Sequence, residues 1–126
     1  HVDLIRRFEA PDFSFSAQAL RHAERVFEAA LAAGSALEVN AAPMRGGFGP
    51  VYPGPQLLRR ACELGVPVTL GDDSHGPDGV GVGLDACLRA IEAAGYTDVH
   101  YLTRTEGRVT LQRALLADVH PAQPNA

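Results

Sequence analysis

Apolar residues recur at helical spacing in three stretches of this chain and in short runs of strand type between them, so strand and helix alternate. Leu20, Ala23, Phe27, Ala30 and Leu31 mark one face of a helix over residues 17–33, with Ser14 or Ser16 at its start and Gly34 at its stop. Leu57, Leu58, Ala61, Cys62 and Leu64 mark a second helix, opened by Pro55 and closed by Gly65. Leu84, Cys87, Leu88 and Ile91 mark a third, which stops at Gly95. Short apolar runs predict strands at residues 1–5, 36–39, 66–70, 98–102 and 108–112, the last two joined through Thr105-Glu106-Gly107 as a hairpin. The alternation predicts an α/β fold of parallel βαβ units ending in a short hairpin, with one domain over residues 1–117 and a flexible tail over 118–126. Residues 6–15, which include Pro11 and Asp12, and residues 41–54 read as loop.

The stretch from Val66 to Gly83 leaves an apolar, β-branched run for glycine, two acids, a serine and a histidine. Polar residues then sit at the carboxyl end of a buried strand, where α/β folds place their chemistry. Asp73 and His75 are two apart, and continued extended geometry would send both side chains to one side. The same spacing recurs at His1 and Asp3 and at Glu38 and Asn40, again in or after apolar runs. Imidazoles and carboxylates gathered at neighbouring strand ends form a mixed nitrogen and oxygen donor set, which suits a divalent ion such as zinc, manganese or iron. Plainer readings stand beside this one. Asp72, Asp73 and Ser74 are ordinary turn and capping residues, Glu38 can pair with an arginine, and His1 as a chain terminus can bind metal adventitiously. His22, His100 and His120 read as surface, core-edge and tail residues. Arg45 lies among glycines just after a strand end, a setting for phosphate or for a solvated surface loop. The glycines from Gly79 to Gly83 have the wrong spacing for a dinucleotide loop.

At 126 residues and a net charge of −4, the chain offers no basic face for nucleic acid, and no run is long enough to span a membrane. Cys62 and Cys87 fall on the apolar faces of separate helices and read as small buried hydrophobes in a reducing, cytoplasmic compartment. The chain opens within a predicted strand that has no upstream neighbour, so it reads as part of something longer.

The ordered set His-Val-Asp-Leu-Ile-Arg-Arg-Phe, Ala-Leu-Glu-Val-Asn, Arg45 with Tyr52-Pro53, and Thr-Leu-Gly-Asp-Asp-Ser-His-Gly-Pro with Val80-Gly81 resembles the second half of histidinol-phosphate phosphatases of the PHP (polymerase and histidinol phosphatase) superfamily. The Asp-Asp-Ser-His-Gly-Pro form resembles the fungal type. The resemblance spans about the first 105 residues. It implies the C-terminal half of a distorted seven-stranded (β/α) barrel, with a divalent metal cluster at the strand ends and a small-molecule phosphate ester as substrate. His1, Asp73 and His75 match metal-ligand positions, Asp73 and His75 being also the catalytic pair, and Arg45 matches the substrate-phosphate contact. Glu38 and Asn40 match the pattern in a supporting role behind the ligands. The sequence departs from the family at Asp72, often serine or glycine there, and at Ala41-Ala42-Pro43, which replaces a more polar stretch. The amino-terminal half with its His-x-His motif is absent from this sequence and is the partner that the resemblance implies. The expectation is therefore a phosphatase whose isolated second half is inactive and binds metal weakly. The alternatives are a phosphoesterase of the same superfamily with another substrate, and a non-catalytic binding module.

Overall fold

The computed structural model describes residues 1–10, 13–49 and 51–119, so Pro11, Asp12 and His120 lie outside the described residues. Helix α1 (Ala17–Ala32) begins where predicted, with Ser16 Oγ accepting the Ala19 N–H at 3.2 Å, and the chain leaves it through Gly34 at φ +65°. Its apolar face meets α3 (Pro55–Glu63), whose first turn holds Pro55. Phe27, Leu57, Ala61 and Val66 make a small buried cluster there, with Leu20 and Ala23 packed against it. Leu31, expected inward, is 39% exposed, because α3 covers only one side of α1. Arg60 of α3 ties the two helices through Glu24 at 2.7 Å.

Strands β1 (Leu37–Asn40) and β2 (Val68–Gly71) are joined through α3 and pair in parallel, Leu37 opposite Val68 and Asn40 opposite Gly71. This is one βαβ unit of the predicted kind. Helix α4 (Leu84–Ala93) lies against both strands and sends Cys87, Leu88 and Ile91 into the main core with Val39, Val68, Leu58 and Val99. The hairpin of β3 (Asp98–Thr105) and β4 (Arg108–Leu115) is longer at both strands than the apolar runs suggest. Its turn residues Glu106 and Gly107 both take positive φ, 50° and 82°, the geometry that matches strand twist in two-residue hairpins. A short helix α5 (Leu116–Val119) follows and buries Leu116, so the predicted tail begins inside a helix at Asp118.

Two expectations are corrected. Residues 1–5 are not a strand. They enter a 3-10 helix, Leu4–Phe8, with Arg6 N–H donating to Asp3 O at 3.0 Å, because no strand among the described residues lies beside them to take their backbone groups. Residues 41–54 are not all loop, since they contain a short helix α2 (Ala42–Gly46) capped by Gly47 at φ +69°. The described strands form two separate two-stranded sheets, β1 with β2 and β3 with β4, and no closed barrel. The two pairs meet in the core, where Val99 of β3 packs in one cluster with Val68 of β2. Both cysteines are free, Cys87 buried and Cys62 half-buried. No helix among the described residues is long and apolar enough to cross a membrane.

Candidate functional site

The site is built where β1 and β2 end side by side. Asn40, 1% exposed, closes β1 with three ties: its Oδ1 accepts the Ala42 N–H at 2.8 Å, its Nδ2 donates to Glu38 Oε2 at 3.1 Å, and its backbone bridges Tyr52. Glu38 and Asn40 thus share one side of the strand, as the spacing predicts, and the Glu38 carboxylate lies over Gly71, where a Cβ would overlap it. Glu38 therefore bonds Asn40, where an arginine was the alternative.

Beyond Gly71 the extended geometry stops. Asp73 takes φ +54°, a left-handed conformation that few non-glycine residues adopt and that aspartate tolerates better than most. Strand alternation therefore does not orient Asp73 and His75; a turn does. Asp72 shapes that turn, its Oδ2 accepting the Gly81 N–H at 2.6 Å and its Oδ1 the Ser74 N–H at 3.0 Å. The Gly81 bond first, then those from Ser74, hold the Asp72 carboxyl below its ordinary value. His75 Nδ1 lies 2.7 Å from Asp73 O, and since a carbonyl only accepts, Nδ1 carries the proton. In the neutral ring the Nε2 lone pair is then free, the form in which histidine ligates a cation or takes up a proton.

Arg45, on α2, reaches across to this turn. Its Nη1 donates to Asp72 O, its Nη2 to Asp73 O at 2.6 Å, and Nη2 stands 3.4 Å from Asp73 Oδ2. The guanidinium is therefore docked on the loop and not simply solvated, with its side chain 34% exposed. His1 approaches from a third segment, its Nε2 3.8 Å from Asp73 Oδ2 and its ring 5.3 Å from that of Tyr52. His1, Arg45, Asp73 and His75 line one cleft of about 370 Å³, with Tyr52 in its wall.

Asp3 does not join them. Expected to share a face with His1, it is buried beneath, bound to Gly54 and Arg6. Arg6 and Tyr52 are the parts of the site that spacing missed, and Asp3, which spacing set beside His1, lies beneath it instead. The available signal was an aspartate and an arginine three apart, together with a glycine at position 54, where a Cβ would overlap the Arg6 guanidinium.

Divalent ions of the zinc type take three or four protein donors at about 2.0–2.3 Å. His1, Asp73 and His75 offer two imidazoles and a carboxylate on one cleft, but no group of three or more such side chains among the described residues is arranged to hold a metal ion. They fit part of a donor set. An electrophilic fork, a carboxylate and an imidazole with a free lone pair in one open cleft can bind an oxyanion and move a proton beside it.

No protein-family model matches the chain. Its sequence is similar to a probable histidinol-phosphatase of Schizosaccharomyces pombe, 29% identical over 123 residues, covering 94% of this chain and 40% of that protein. It is also similar to a probable histidinol-phosphatase of Deinococcus radiodurans, 32% identical over 106 residues, covering 82% of this chain and 38% of that protein. The resemblance read from the motifs is borne out by both, and the chain spans about two fifths of the length of these curated relatives.

Proposed function

We propose that this chain is the second, site-bearing part of a metal-dependent phosphomonoesterase that hydrolyses L-histidinol phosphate to L-histidinol and phosphate. The observation that carries the reading is the convergence of His1, Arg45, Asp73 and His75, drawn from three segments, on one cleft. The similarity to two probable histidinol-phosphatases supports it, as does the span of only two fifths of their length. In this reading residues 1–117 are the C-terminal half of a seven-stranded PHP-type barrel in a cytoplasmic enzyme. The parallel pair of β1 and β2 with α3 as its crossover supports the barrel.

His1, Asp73 and His75 supply part of the metal donors, and the rest come from the portion of the relatives that this chain does not span. When bound, the metal polarises the phosphate and lowers the pKa of a bound water. Arg45 turns its remaining N–H groups to the phosphoryl oxygens and balances their charge. Asp73 stands by the leaving oxygen, while Glu38 and Asn40 fix the strand end behind it. A second reading is a non-catalytic phosphate-binding module, in which the N–H groups that Arg45 does not spend on the carbonyls of Asp72 and Asp73 hold phosphate without turnover.

Phosphate release from histidinol phosphate, with elemental analysis of bound metal, separates the two in the intact polypeptide that contains this chain. Turnover with two or more metals per chain, both lost in Asp73→Ala and in His75→Ala, supports the enzyme. Phosphate binding with no turnover and no metal supports the module. Turnover by the 126-residue chain alone contradicts its being only part of the site.

A further inference from the structure

Asp3 and Asn40 are the polar side chains fully buried among the described residues. Burying a carboxylate is costly unless charge and hydrogen bonds answer it, and an aspartate at the start of a helix has a cheaper local use, which is to cap it. Asp3 stands at the cap of Leu4–Phe8 and makes no side-chain cap bond there. Its Oδ2 instead accepts the N–H of Gly54, 51 residues away, at 2.6 Å, and pairs with Arg6 Nη1 at 3.3 Å. The same Nη1 donates to Val51 O at 3.3 Å. Asp3 Oδ1 stays buried without a partner, a cost that a merely local role does not explain.

These bonds grip both sides of Tyr52-Pro53. Tyr52 is in turn fixed to the end of β1, its N–H donating to Asn40 O at 2.9 Å and its carbonyl accepting from Asn40 N at 2.7 Å. Gly54 completes the fit, because any side chain there would collide with the Arg6 guanidinium. The 3-10 segment has no sheet neighbour and exposes Leu4, Ile5 and Phe8, so its apolar side chains give it little anchorage. What holds it is polar.

We infer that the Asp3–Arg6 pair is a positioning device that docks the first segment on the Val51–Gly54 turn and so sets the His1 imidazole beside Tyr52 and opposite Asp73. Asp3 and Arg6 act through His1, since neither lines the cleft and the Asp3 carboxylate is fully enclosed. The kinetic part of this inference rests on the phosphatase reading; the structural part does not.

The test uses the intact polypeptide that contains this chain, with histidine and tyrosine selectively labelled. The wild-type protein gives a nuclear Overhauser contact between the rings of His1 and Tyr52. Asp3→Asn and Arg6→Gln lose that contact, while the Tyr52 resonances keep the dispersion of a folded core. In the same variants kcat for phosphate release falls about 10- to 100-fold, the usual effect of removing a group that orients a ligand, with KM changed far less. Arg6→Lys restores the charge but not the reach to Val51, and recovers only part of kcat. The inference is overturned if either folded variant keeps the ring contact, or if its kcat equals that of the wild type in an active enzyme. Should the wild type release no phosphate, the phosphatase reading fails, and the ring contact still decides the positioning claim.

Discussion

Asp72 carries a consequence of its own. Its carboxylate accepts from Gly81 and from Ser74, and both bonds favour the ionised form, so its pKa lies below the ordinary 3.8. A depressed carboxyl contributes stability that is present above its unfolded pKa and lost as pH falls through its lower folded value. Urea unfolding of wild type and Asp72→Ala, followed from neutral pH into acid, is expected to show their difference in stability largest near neutrality and shrinking below about pH 4. A constant difference across that range contradicts the assignment. The residue types at the site were legible in the sequence, since Asp, His and Arg after apolar runs announce polar chemistry. Their geometry was not. The spacing of two predicted a shared strand face for Asp73 and His75, whereas the left-handed backbone at Asp73 and the Asp72 bonds bring them to the cleft by a turn. For His1 and Asp3 the same spacing separated the pair, one at the cleft and one beneath it.

Among the elements, α1, α3 and α4 were readable because each carries its own evidence within a few turns: an apolar stripe and a glycine stop at Gly34, Gly65 or Gly95. Strands carry less, because what makes a strand is a neighbour distant in sequence. The apolar run at residues 1–5 has none among the described residues and winds into a 3-10 helix. Helix α2 escaped notice at five residues among proline and glycine, too short for a periodic signal. The entry to α4 is set by Gly83, at φ +85°, where a Cβ would stand 2.8 Å from Ala41 Cβ and 2.9 Å from Met44 Sδ. Gly83→Ala therefore meets both backbone strain and a clash with the start of α2. Denaturant unfolding is expected to show a loss of about 1–3 kcal/mol, and an unchanged midpoint would mean that this contact is not as close as described.

In the molecule as a whole, the main core joins both strand pairs to α4, and Cys87 lies within it, fully buried, with burial pushing its thiol up to about 11. Cys62 is half-buried on α3 and its thiol is also raised, by burial first and then by Glu63 and Asp98. Thiol labelling at mildly alkaline pH is expected to modify Cys62 first and Cys87 only at the rate of global opening. Equal rates would contradict the packing of α4 on β1 and β2. The α/β class and the order of segments were readable across the whole chain, but the separation of the hairpin from the parallel pair was not, because apolar runs do not state which strands exchange hydrogen bonds. Under the proposed function, this cleft hydrolyses a phosphate ester when the rest of the polypeptide is present. Phosphate release from histidinol phosphate by that intact polypeptide tests it most directly, with Asp73→Ala and His75→Ala alongside. Turnover that falls by at least about 100-fold in each folded variant is the expected result; full turnover without Asp73 and His75 would contradict the account.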